Sequence, residues 1–349
     1  MVKTLLMQKR IESSSIIIHN SSKYNKVSVF RIMLTGLPRP AFVGLLMLVS
    51  SMTWSLRVMA STDIPAPGLM VLVGEHRLHL YCSGQGEPAV VMDAGLGGTS
   101  LDWVRVQPEL AKYTRVCSYD RAGYGWSEPG PRPRSSGRIA EELRTLLRTA
   151  AVPEPYVLVG HSFGGYNVRL FASNYPEETA GLVLVDAAHE NQVRRFREEG
   201  GIHIVPRGEF VVLSSPDIPD NMPYAVRPLA RSLINSSEAY RTIHDELMSF
   251  RRSAAQVRNA GPLPDVPLVV ISRGQRVWPH TPKGDLLEQL WAELQDDLAE
   301  RQVHVPHLFA QNSGHYVQLD EPGVVVNAVR SVIGSHRHEM RSTQLMRDR

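Results

Sequence analysis

Ser162 stands in Gly160-His161-Ser162-Phe163-Gly164, a G-x-S-x-G run. The apolar stretch YVLVGH (156–161) leads into it, and the helical pattern GGYNVRLFASNY (164–175) leaves it. A sharp strand-to-helix turn lifts a serine clear of a sheet edge, and flanking glycines let neighbouring backbone come close. The chemistry on offer is attack by a hydroxyl. The helix that begins behind Ser162 adds free N–H groups and a positive dipole end, which suit a developing oxyanion. A serine hydroxyl is a weak nucleophile and needs a base within hydrogen-bond reach. Most of the 13 histidines are expected to be structural or to lie on the surface. His315 is the expected base: Gly314-His315-Tyr316 follows the last strand pattern and precedes the last helix, which places it at the same sheet edge as Ser162.

A glycine cluster, Asp93-Ala94-Gly95-Leu96-Gly97-Gly98, follows the strand pattern AVVMD (89–93). As a dinucleotide loop it fails, because G-x-G-x-x-G would need glycine at position 100, where Ser100 stands. No phosphate-cradling P-loop run occurs either. As an oxyanion loop it fits, with the backbone N–H groups of Leu96 and Phe163 as donors. That role uses backbone alone and leaves the Leu96 side chain to line a pocket. No H-E-x-x-H run and no Cys/His spacing suited to a metal is present. No metal or cofactor is therefore expected.

The elements that must position these groups alternate. Strand patterns occur at 69–73, 76–82, 89–93, 114–120, 156–161, 181–186, 267–272 and 302–310. The first two flank Gly74-Glu75, a hairpin turn. Helical patterns occupy 101–113, 137–152, 164–175 and 321–334; Ile139, Leu143, Leu146 and Leu147 share one helical face. Apolar β-branched strands separated by helices predict an α/β fold with a mostly parallel, doubly wound eight-stranded sheet covered on both faces. Residues 190–261 interrupt the rhythm and are too long for a plain crossover loop, so they are expected to form a helical cap over the strand ends. Its arginines (Arg194, Arg195, Arg197, Arg207) fit either an acidic ligand or a solvated face. The segment 336–349 reads as a polar, basic tail.

The chain has 349 residues, of which 43% are hydrophobic and 21% charged, a globular composition. Its formal charge of +3 is unevenly spread. Residues 1–60 hold eight Lys/Arg and one acid, a net of +7, so residues 61–349 net −4. An acidic folded part argues against a nucleic-acid binder. Within residues 1–60 a basic segment precedes the apolar run AFVGLLMLVSSMTW (41–54), and Val58 and Ala60 sit at −3 and −1 of Ser61. This describes an export signal cleaved near Ser61; an uncleaved anchor, with membrane association through residues 41–56, is the alternative. Residues 1–32 carry no helix or strand period and precede Met33, an alternative start. Export leaves the protein periplasmic, secreted or membrane-anchored. The core is expected to comprise 61–189 and 262–335.

DAGLGG (93–98), YDRAGYGWS (119–127), GHSFGG (160–165) and SGHYVQLDEP (313–322) occur in that order. Together they resemble the α/β-hydrolase fold superfamily, of the capped serine esterase and lipase-like kind, over residues 68–335. The resemblance implies a carboxylic-ester hydrolase working through an acyl-enzyme, with Ser162 as nucleophile, His315 as base and a small-molecule ester as substrate. A peptidase, perhydrolase or carbon–carbon hydrolase on the same residues, or a ligand receptor of this fold, stays open. A serine at the elbow excludes the family branches that use an aspartate nucleophile. By the same resemblance the loop from Asp120 to Ser127 shapes the pocket, with Tyr124 and Trp126 either walling it or packing in the core. The usual His-Gly at the oxyanion turn is Ala94-Gly95 here, a change that leaves the backbone donor intact.

Two further expectations rest on the resemblance. The triad acid usually lies in the turn after the strand corresponding to 267–272, but Arg273 to His280 contains no acid. The fold's other placement, at the end of the preceding strand, puts Asp186 in that role, with Asp285 and Glu190 as the remaining candidates. The usual strand order also makes strands 76–82 and 114–120 neighbours, so Cys82 and Cys117 are in a position either to form a disulfide or to remain two thiols.

Overall fold

Eight strands form one sheet in the computed structural model, which describes residues 65–202, 218–301 and 305–347. In chain order they are β1 (Leu69–Val73), β2 (His76–Ser83), β3 (Ala89–Asp93), β4 (Val116–Tyr119), β5 (Tyr156–His161), β6 (Thr179–Val185), β7 (Leu268–Arg273) and β8 (His307–Ala310). Across the sheet the order is β1-β2-β4-β3-β5-β6-β7-β8. β2 is antiparallel to β1 and β4, and every other pairing is parallel. An antiparallel pair needs only a tight turn, whereas each parallel pair needs a crossover. The chain supplies helices α1 (Gln107–Leu110), α2 (Ser136–Thr149), α3 (Gly164–Asn174), α4 (Gln192–Glu198), α5 (Arg227–Ile234), α6 (Ser237–Asn259), α7 (Pro282–Ala299), α8 (Val317–Asp320) and α9 (Pro322–Arg347).

The apolar runs are explained by burial on both faces. Alternate residues of a strand point to opposite sides, and here the alternation separates two cores. Val91, Leu158, Leu182, Leu184 and Val270 pack with Leu143, Leu146 and Leu147 of α2 and Phe171 of α3. Met92, Val157, Val159, Val183 and Ile271 pack with Val325, Val329 and Val332 of α9. Hydrophobic burial on both sides holds the strands in fixed register and so fixes what their ends present.

The chain order also creates a place for chemistry. The connection after β3 leads to β4 on one side, and the connection after β5 leads to β6 on the other. Ligands of open α/β sheets lie outside the carboxyl ends at such a switch point. The glycine cluster after β3 and the elbow after β5 meet there.

Three differences from the sequence reading have physical causes. The helix expected over 101–113 is broken into a 3-10 turn, Ser100–Trp103, and α1. Pro108 lacks an N–H and fits the first turn of a helix, not its interior. The last strand is shorter than 302–310, spanning His307–Ala310, with 302–304 outside the described residues. The segment read as a polar tail continues α9 to Arg347, and Arg337 donates to the Glu87 carbonyl at 2.6 Å. The expected export segment, residues 1–60 with 41–56, lies outside the described residues. Among the described residues no helix is long and apolar enough to cross a membrane. Of the expected cap, α4, α5 and α6 are described, and 203–217 are not.

Candidate active site

β5 ends at His161 and α3 begins at Gly164, so the chain reverses within two residues. Ser162 takes up that reversal with φ +51°, a left-handed conformation that costs a non-glycine residue about 1–3 kcal/mol. The surroundings hold it there. Ser162 N–H donates to Val185 O at 3.1 Å, and Ala188 N–H donates to Ser162 O at 2.9 Å. Both flanking glycines are required: a Cβ on Gly160 would lie 2.6 Å from Val168 and one on Gly164 2.3 Å from Asp93 O.

His315 precedes α8, and its imidazole reaches Ser162. His315 Nδ1 lies 2.6 Å from Asp186 Oδ2, and Nε2 lies 2.9 Å from Ser162 Oγ. A carboxylate only accepts, so Nδ1 carries the proton and Nε2 is left bare to accept from the serine hydroxyl. Asp186 follows β6, has φ +40° and is fully buried. Burial alone would raise its pKa. The hydrogen bond and charge of His315, the Arg273 guanidinium and the Trp291 indole outweigh burial and hold it down to about 2. Trp291 Nε1 donates to Oδ1 at 2.7 Å, and Arg273 Nη1 to Oδ2 at 3.0 Å. The carboxylate is thus ionised at any working pH and fixed by three side chains.

The glycine cluster sits directly against the elbow. A Cβ on Gly95 would stand 3.2 Å from Ser162 Cβ. Among the described residues, neither Leu96 N–H nor Phe163 N–H donates to another backbone group. Phe163 is buried against Tyr166 and Phe250, and Leu96 packs on the same cluster.

The other acid candidates lie elsewhere. Asp285 is exposed and pairs with Arg276 at 2.6 Å. Glu190 pairs with Arg169 at 2.9 Å and Arg301 at 2.6 Å. Arg194, Arg195 and Arg197 pair with Glu198, Glu199 and Glu293 along a solvated face, and Arg207 lies outside the described residues. In the loop after β4, Asp120 accepts from Ser100 N–H at 2.6 Å and Trp126 N–H at 3.1 Å and meets His79 Nδ1 at 2.8 Å. Trp126 packs on the His79 ring, and Tyr124 is buried and donates its hydroxyl to Glu246 at 2.9 Å. Cys82 and Cys117 face each other on β2 and β4 and form a disulfide, with Cα atoms 4.1 Å apart. Among the described residues no cluster of His, Cys, Asp or Glu is arranged to hold a metal.

Three residues near the site had no assigned part in the sequence reading. Arg273 and Trp291 hold Asp186. His161, inside the elbow motif, stands 2.8 Å from His315 O through Nε2. A carbonyl only accepts, so Nε2 is the donor, while Gln318 meets Nδ1 at 3.2 Å. Burial, then repulsion from His315, lowers the His161 pKa to about 3. A neutral imidazole thereby ties the elbow to the backbone of the histidine loop. The signal was its place beside Ser162, but its partner lies 154 residues away.

A family model, the alpha/beta hydrolase family, matches residues 90–329. The chain belongs to the alpha/beta hydrolase family. YqjL, an uncharacterized protein of Bacillus subtilis (strain 168), is 25% identical over 263 residues, covering 71% of this chain and 85% of YqjL. A 148-residue stretch is 30% identical to an uncharacterized vacuolar membrane protein of Saccharomyces cerevisiae (strain YJM789) and covers 36% of this chain and 23% of that protein. The chain thus spans only about a fifth of the length of several curated relatives it matches. Among solved structures, the enol-lactonase of Burkholderia xenovorans LB400 superposes with a TM-score of 0.57 at 18% identity, covering 76% of this chain and all of the other. At that identity the likeness is one of alpha/beta hydrolase fold.

Proposed function

We propose that this alpha/beta hydrolase is a serine hydrolase of carboxylic esters, with Ser162, His315 and Asp186 as its triad. The observation that carries the reading is the unbroken hydrogen-bonded line from Ser162 Oγ through His315 to the buried Asp186 carboxylate. Ser162 Oγ attacks the ester carbonyl carbon while His315 Nε2 takes its proton. The Leu96 and Phe163 N–H groups hold the resulting oxyanion. The C–O bond then breaks, and the alcohol leaves with the proton from His315. Water repeats the sequence on the acyl-enzyme and releases the acid. Asp186 keeps the imidazole in the tautomer that leaves Nε2 bare, and stabilises the imidazolium that forms.

An exported location belongs to the same proposal. The Cys82–Cys117 disulfide supports it, because such bonds persist mainly outside the reducing cytosol. A panel of p-nitrophenyl esters, a matched amide, a thioester and a vinylogous diketone tests the activity. Fastest turnover is expected on the esters, with a loss of several orders of magnitude in Ser162→Ala. Preference for the diketone or amide would replace the ester reading.

A further inference from the structure

Arg121 lies just beyond β4 and is almost wholly buried. All five of its N–H groups are used. Nη1 donates to Asp93 Oδ1 and to Ala94 O, both at 2.7 Å. Nη2 donates to Gly95 O at 2.8 Å and to Glu246 Oε2 at 3.1 Å. Nε donates to Glu246 Oε1 at 2.8 Å. Glu246 belongs to α6, is fully buried, and also accepts from Tyr124. One guanidinium therefore joins the end of β3, two carbonyls of the glycine cluster and a helix from the 190–261 insertion.

The carbonyl of Gly95 is the informative contact. A trans peptide is planar, so its C=O and N–H point in opposite directions. Whatever holds Gly95 O also sets the aim of the Leu96 N–H across the same peptide. Two donors hold it, Gly98 N–H at 3.0 Å and Arg121 Nη2. A Cβ added to Gly95 would stand 3.2 Å from Ser162 Cβ, so this peptide borders the reacting centre. Resting on the proposal that Ser162 is the nucleophile, we propose that Arg121 is a positioning residue that aims the Leu96 N–H at the oxyanion. Glu246 makes that aim depend on how α6 is seated. The insertion then acts on the chemical step as well as on substrate access, because a shift of α6 removes two of the five contacts that orient the guanidinium.

A purely structural Arg121 and a positioning Arg121 differ in what they do to the transition state. Arg121→Lys keeps the charge but lacks the fork that reaches Gly95 O and Glu246 together. Glu246→Gln keeps the shape and one acceptor oxygen, replaces the other with an NH2 that cannot accept from the fork, and removes the charge that anchors it. Each variant is assayed for kcat and KM on a p-nitrophenyl ester and for inhibition by phenylboronic acid, which forms a tetrahedral anion on the serine. For Arg121→Lys, kcat falls on the order of 10²-fold with KM unchanged, the scale of losing one oxyanion donor. Phenylboronic acid binding weakens by a similar factor. Glu246→Gln shows the same pattern at about 10-fold. If Arg121→Lys does not fold, Glu246→Gln decides alone. Unchanged kcat, or a loss confined to KM, or unchanged boronate affinity in a folded variant overturns the inference while leaving the ester-hydrolase reading in place. A wild-type protein that neither turns over esters nor is labelled at Ser162 by a fluorophosphonate overturns both.

Discussion

β6 and β7 run side by side in parallel, with Val185 opposite Ile271, and their ends carry opposite charges. β6 runs into Asp186, and β7 closes on Arg273. The two meet: Arg273 Nη1 donates to Oδ2, the same carboxylate oxygen that faces His315. On its other side Arg273 donates to Glu288 at 2.9 Å and lies over the rings of Trp278 and Trp291. The acid that follows β7 in the sequence, Asp285, is 60% exposed and serves a surface pair. A buried carboxylate is costly unless paired. The strand after which the resemblance places an acid here delivers the counter-charge that lets a neighbouring strand's acid stay buried and ionised. The lesson is that an acid position and the cation facing it must be read together.

The comparison breaks most sharply on the acid itself. Asp186→Asn is expected to lower kcat by about 10⁴-fold, by presenting the wrong imidazole tautomer, whereas Asp285→Asn leaves kcat at the wild-type level. Steady-state kinetics on one ester decides between the two strand ends, and the reverse pattern would transfer the role to Asp285. The cation comes next. Arg273→Met strips Asp186 and Glu288 of a shared partner inside the protein and should cost about 3 kcal/mol of stability, read by urea denaturation. A cost near zero would mean that His315 and Trp291 alone suffice for Asp186.

The end of β5 sharpens the comparison with a third buried titratable group. His161 has a pKa near 3 in the folded protein against about 6.5 unfolded. Between those values the unfolded chain binds a proton that the folded chain refuses, so stability falls as pH drops from about 6.5 toward 3. Asp186, depressed to about 2, works in a lower window: its contribution is intact above about 4 and is lost as pH falls through 2. His161→Gln should remove the upper part of the acid sensitivity. Relative to wild type the variant gains about 2 kcal/mol on going from pH 7 to pH 5. Urea midpoints at the two pH values measure this, and parallel losses in both proteins would refute the role given to His161.

How much of this was legible follows from distance along the chain. The elbow is written in five consecutive residues, and the sheet in apolar runs bounded by turns, so Ser162 and eight strands were readable. His315 was readable as a strand-end position once the sheet edge was located, and Asp186 only through the placement that the resemblance implies. Arg273, Trp291 and Glu246 were not, because their partners lie 87, 105 and 125 residues away and no local period encodes such a pairing. Pro108 is the local cause of the break within 101–113. α9 runs past His336 because Arg, Glu, Met and Gln are good helix formers and neither Gly nor Pro follows Gly334. Polarity alone did not distinguish a solvated helix from a tail.

The central claim is that one particular serine, activated by His315, does the covalent chemistry. The direct measurement is to react the full-length wild-type protein with a fluorophosphonate, digest it and map the adduct by mass spectrometry. The account predicts a single phosphonylated site, on Ser162, with none formed in Ser162→Ala or after heat unfolding. An adduct on another serine, or none on a folded protein, would contradict it.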